Sequence, residues 1–141
     1  MTLWQPGMLI TAARLNDGPD AVTTASGLVV ASGFSLNDFR GTRSGKSVTV
    51  DIYLHRTGAD ITVTGGNITD TQTCTVPAGF RPNNGTVNGS WDDGTAQGGF
   101  VIGNDGICTL RTSNGSLIRG DATSPTGQGS NLRMHADFIL V

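Results

Sequence analysis

The chain has 141 residues, enough for one modest core but hardly two. It is 36% hydrophobic and 14% charged with 21 glycines, which fits a folded, turn-rich β protein better than a disordered chain. A net charge of −2, without a basic run or an acidic tail, excludes the charge footprint of a nucleic-acid binder or of a protein held on an anionic membrane.

All the acidic residues are Asp, and the bases are eight Arg and Lys46. Glu and Lys keep most of their rotamer freedom in a helix, so their scarcity favours strands. The 19 threonines suit the pleated surface of a sheet. No stretch approaches the roughly 20 apolar residues that span a bilayer, so membrane insertion is not expected. Nor does a cationic segment followed by an apolar stretch open the chain, so no secretory signal is expected. Cys74 and Cys108 are accordingly expected to be free, buried thiols rather than a bridge.

In chain order, residues 1–25 differ from the rest. Trp4, Met8, Leu9, Ile10 and Leu15 crowd into a short span. Thr11 can cap a short helix, of about two turns at most, in which Ala12, Ala13, Arg14 and Leu15 are good helix formers before the Asp17-Gly18-Pro19 stop. A helix that short needs a surface to cover its apolar face. That surface is either its own domain or, the reading taken here, copies of itself or a larger assembly. Trp4, Met8, Leu9, Ile10 and Leu15 are thus the candidate attachment and oligomerisation residues.

Residues 26–141 read as one all-β domain. Asn84-Gly85, Asn88-Gly89, Asp93-Gly94, Asp105-Gly106 and Asn114-Gly115 are dipeptides that accept the positive φ of tight turns. Between such signals lie strands expected at 34–43, 46–57, 60–64, 71–76, 86–91, 98–103, 107–111 and 131–141. Two of them show the clearest period of two. Val48, Val50, Ile52 and Leu54 alternate with Thr49, Asp51, Tyr53 and His55. Leu132, Met134, Ala136, Phe138 and Leu140 alternate with Arg133, His135, Asp137 and Ile139. About eight short strands with frequent turns predict an antiparallel β-sandwich of jelly-roll type behind the helical attachment segment. Gly120 to Gly129 is the most loop-like stretch.

Templates for chemistry fail one by one. Gly45-Lys46-Ser47 lacks the glycine five places earlier, where Arg40 stands, and it runs into a strand rather than opening a helix. There is no G-x-S-x-G elbow. His55 and His135 lack the spacing of a zinc site, and without Glu no calcium loop can close, so neither a metal nor another cofactor is expected. The sequons at Asn67, Asn84, Asn88 and Asn114 follow from composition. If the strands at 46–57 and 131–141 are neighbours, Asp51, Tyr53, His55, Arg133, His135 and Asp137 form one polar face. Solvent, a subunit contact or an ion site on a symmetry axis can each account for it. Trp91 beside Asp92 and Asp93 is the candidate ligand site, since an aromatic can stack on a sugar while carboxylates take its hydroxyls. Large aromatics in small β domains also serve as core or interface. No catalytic group is marked, and the chain is read as a non-enzyme.

Two places carry a family resemblance. W-Q-P-G-M-L-I-T-A-A-R-L-N-D (Trp4 to Asp17) resembles the start of tail-fibre and minor tail proteins of actinobacterial phages and prophages. T-V-P-A-G-F-R-P (Thr75 to Pro82) and V-I-G-N-D-G-I-C-T-L-R (Val101 to Arg111) resemble the receptor-binding heads that end phage tail fibres. The resemblance implies a virion protein: a β-sandwich assembled as a homotrimer, joined by its N-terminal segment to tail, baseplate or capsid, and facing a host-surface glycan. Arg and Asp in place of Lys and Glu fit a GC-rich genome. The chain lacks a long fibrous shaft, so a short spike, a stand-alone head or an architectural decoration protein without a ligand is also consistent with it.

Overall fold

The computed structural model describes Pro6, Gly7 and residues 20–141. The short helix and the attachment residues Trp4, Met8, Leu9, Ile10 and Leu15 lie outside the described residues.

The described chain is all-β and contains no helix. Its strands are β1 (Ala21–Thr24), β2 (Val29–Val30), β3 (Phe34–Ser44), β4 (Ser47–Arg56), β5 (Ile61–Thr64), β6 (Asn67–Thr75), β7 (Val87–Asp92), β8 (Gln97–Ile102), β9 (Ile107–Thr112), β10 (Leu117–Ile118) and β11 (Asn131–Ile139). Every pairing is antiparallel. The order is β1-β3-β4-β11-β7-β8-β9-β6-β5-β10, with β2 on β6, and the path does not close. The eight expected strands are present with ends shifted by a few residues. In addition, β1, which falls in the stretch assigned to the N-terminal segment, pairs with the end of β3.

Hairpins explain most neighbours, but β11 does not follow from chain proximity. It is inserted between β4 and β7 and pairs with β4 over nine residues, Asn131↔His55 to Ile139↔Ser47. The period-two pattern accounts for the side that each strand buries. Val48, Val50, Ile52 and Leu54 face the core together with Leu132, Met134, Ala136 and Phe138.

Thr73 Oγ1 on β6 comes within 3.8 Å of Met134 Sδ on β11, although three strands separate them along the path. The sheet therefore bends back over one core. The Thr75–Pro82 corner contributes Val76 and Phe80 to that core. Gly79 takes φ +92°, and Phe80 is buried against β3, where a Cβ at Gly41 would come within 2.9 Å of its ring.

Two local features depart from simple alternation. A bulge between Leu36 and Asp38 shifts the parity of β3, so Phe34 and Phe39, five residues apart, both enter the core. Asn88-Gly89 is not a turn but lies within β7. There the Phe100 ring crosses its facing residue, and a Cβ on Gly89 would stand 2.3 Å from that ring and 2.7 Å from the His135 carbonyl oxygen. Glycine is needed there for close packing, not for backbone bending.

Candidate functional site

Residues of β3, β4 and β11 that alternate with the core positions form cross-strand rows on the opposite face. One row runs Asp38, Tyr53, Arg133 and Asp92 across β3, β4, β11 and β7. The next runs Arg40, Asp51, His135 and Ser90. A third holds Thr42, Thr49 and Asp137, and His55 faces Asn131 nearer the β3–β4 open end. The pairing of β4 with β11 thus meets the condition set by the sequence, and the polar face forms.

His135 is held from both sides. Its Nδ1 lies 2.7 Å from Asp51 Oδ1 and its Nε2 2.9 Å from Asp137 Oδ2. Two acceptor carboxylates favour the doubly protonated ring, so the bond to Asp51, then that to Asp137, raises the His135 pKa. The Thr49 hydroxyl and, after it, His135 lower the pKa of Asp137. Ser90 stands directly across from His135, giving the row a nucleophile-base-acid order. A base must have a ring nitrogen free to take the serine proton, and here carboxylates occupy both.

His55 serves a different purpose. Its Nδ1 lies 2.9 Å from Asn131 Oδ1 and its Nε2 2.8 Å from Asp121 Oδ2. The other Asp121 oxygen accepts the Gly129 N–H at 2.6 Å, and this bond, followed by that to His55, lowers the Asp121 pKa. Asp60 accepts the Gly120 N–H and the Thr123 hydroxyl. The Gly120–Gly129 loop is therefore pinned to β4 and to the start of β5.

Asp38, Arg40, Asp51, Tyr53 and Arg133 line an open cleft of about 420 Å³ on this face. The Arg133 guanidinium lies over the Tyr53 ring, 5.1 Å from its centroid. Stacking of this kind holds the charged plane while leaving its N–H edge open to further partners.

Trp91 and Asp92, with Ser90 and Arg133, line a second open cleft of about 530 Å³. A sugar platform needs an open ring face, but Trp91 is only 1% exposed and donates its indole N–H to the Thr112 carbonyl at 3.0 Å. Asp92 accepts the Gly94 N–H. Asp93 Oδ1 accepts from the Thr95 N–H, the Thr95 hydroxyl and the Ala96 N–H. Burial pushes the Asp93 pKa up, but the bonds from Ala96, Thr95 and Ser130 outweigh it and leave the pKa lowered. These carboxylates organise the β7–β8 turn.

Cys74 and Cys108 face each other across β6 and β9 as buried, free thiols. Among the described residues, no group of three or more His, Cys, Asp or Glu side chains is placed to hold a metal ion. Arg40 and Asp38 were missed as site residues because the β3 bulge hides which face they join. Arg133 and Tyr53 were found through alternation alone. No protein-family model matches the chain. No curated protein matches it either.

Proposed function

We propose that this chain is a phage virion structural protein of the tail-fibre or spike type, acting as a host-surface adhesion module. Its antiparallel sheet, bent back over one core, is read as a jelly-roll-like β-sandwich head. In this reading three copies assemble into a homotrimer. Residues 1–25, with Trp4, Met8, Leu9, Ile10 and Leu15, join it to a tail, baseplate or capsid, and no catalytic step is involved.

The polar outer face of β3, β4 and β11 carries the proposal. A rigid two-faced sheet buries its apolar side and leaves a cleft with charged groups and an aromatic ring accessible, as a binding module requires. The Thr75–Pro82 and Val101–Arg111 motifs give the virion context. Three weak sites in one trimer would act together, since each later contact is intramolecular.

The second reading is an architectural tail or capsid protein without a ligand. Ile139 and Val141 favour it, because they are 70% and 76% exposed near one end of the sheet, where another virion protein can cover them.

Sedimentation of the purified chain with host cell walls separates the two readings. Adhesion is expected for the first, and incorporation into particles without wall binding for the second. Light scattering is expected to give a trimer, and a stable monomer would contradict the assembly. Removal of residues 1–17 is expected to leave the sheet folded and to abolish docking on the particle. Loss of folding would instead place that segment in the core.

A further inference from the structure

The described arginines divide by partner. Arg43, Arg56 and Arg81 donate to backbone carbonyls, and Arg111 pairs with Asp70. Arg119 acts on Asp60, whose pKa the Thr123 hydroxyl, the Gly120 N–H and, after them, Arg119 lower. Among the described residues, Arg40 and Arg133 have neither an ion-paired carboxylate nor an acceptor for a side-chain hydrogen bond. Arg40 and Arg133 line the same cleft, one on each side of β4.

Asp38 and Asp51 line the cleft too, but no carboxylate forms an ion pair with either guanidinium. Asp51 stands beside Arg40 in its row but is bonded to His135. Asp38 accepts the Phe39 N–H, and Asp92, in the row of Arg133, accepts the Gly94 N–H. Arg133 has Tyr53 on one side and Asp92 on the other, and it stacks on Tyr53. Two planar forks of N–H donors are thus left facing a cleft large enough for a sugar ring. A fork of this shape matches the paired oxygens of a carboxylate or phosphate, and the charge-assisted bonds it forms are the stronger kind.

We infer that this cleft binds an oxyanion carried on a sugar, the carboxylate or phosphodiester of an anionic surface glycan, with Arg40 and Arg133 as its ligating groups. Tyr53 is a positioning residue that holds the Arg133 plane. The inference rests on the adhesion reading and adds the chemical class of the ligand.

The test is calorimetric titration of the full chain at low salt with three probes: a glucuronic acid oligomer, poly(glycerol phosphate) and a neutral glucose oligomer. At least one acidic probe is expected to bind, identifying the oxyanion's source, and the neutral probe is not. Arg40→Gln and Arg133→Gln should each weaken binding by about tenfold or more, as expected for loss of a charge-assisted bond. Together they should abolish it. Tyr53→Phe keeps the stacking ring and should bind nearly as wild type, whereas Tyr53→Leu should resemble Arg133→Gln. Arg119→Gln should leave binding unchanged. Unaltered thermal midpoints are expected to show that these exposed substitutions leave the fold intact. Failure of both acidic probes to bind the wild-type chain, equal binding of the neutral probe, or full binding by the double variant would overturn the inference. Wild-type chain that adheres to host walls while binding neither acidic probe sinks this site but keeps the adhesion reading. Absence of wall adhesion counts against that reading separately.

Discussion

The β7–β8 turn and the outer face of β4 and β11 each place an aromatic ring beside carboxylates, and the fold uses them in opposite ways. At the turn, the Trp91 ring is in the core, and Asp92 and Asp93 are taken up by N–H groups two and three residues ahead. On the face, Tyr53 remains partly exposed, and its partner Arg133 comes from a strand 80 positions further along the chain. Side chains adjacent in sequence meet their own backbone first, so Asp next to Gly and Thr becomes turn chemistry. Groups brought together across strands have no such local acceptor. Some of them, such as His135 and Asp51, bond each other, whereas Arg40 and Arg133 keep free N–H edges.

The largest expected break in this contrast comes from the core side. Trp91→Ala should cost about 3–5 kcal/mol in urea unfolding, as for other buried aromatics, and a cost below about 1 kcal/mol would mean the ring is not in the core. Asp93→Ala removes an acceptor of three bonds and should cost about 1–2 kcal/mol, comparable to losing a helix cap. On the outer face, Arg133→Ala should change stability by no more than about 0.5 kcal/mol, because the side chain is exposed. A large loss there would make the face structural.

The histidine between Asp51 and Asp137 sharpens the contrast through pH. Its folded pKa is raised above the ordinary 6.5, so its contribution is full below that value and is lost as pH rises through the higher folded pKa. Asp137 works the other way. Its folded pKa lies below the ordinary 3.8, so its contribution is present above 3.8 and is lost as pH falls through the folded value. The thermal midpoint of wild type minus that of His135→Gln should therefore be largest between about pH 4 and 6.5 and shrink towards pH 9. A difference that grows with pH would reverse the assignment. The effect should be small, since the site is half exposed and salt screens it.

Faces were readable from the chain, whereas neighbours were not. Strict alternation in 47–56 and 131–139 told which side chains enter the core, because a strand that buries one side must repeat every two residues. It carried no information that β11 lies between β4 and β7. The bulge near Asn37 broke the alternation of β3 and concealed Arg40, and the two to four residues of β1, β2 and β10 are too few to show any period. Asn88-Gly89 misled because the glycine was selected by the Phe100 ring packed over it, a reason that lies outside the local sequence. Trp91 with its two acids drew attention as a ligand site for the opposite reason: its local sequence was suggestive, and its tertiary surroundings were invisible.

An NMR titration of the labelled chain with fragments of host cell wall compares the two regions in a single measurement. Shift changes are expected to gather on Asp38, Arg40, Asp51, Tyr53 and Arg133, with the Trp91–Thr95 turn unmoved. Changes centred on that turn, or none anywhere, would contradict the assignment of the outer face of β3, β4 and β11 as the binding surface.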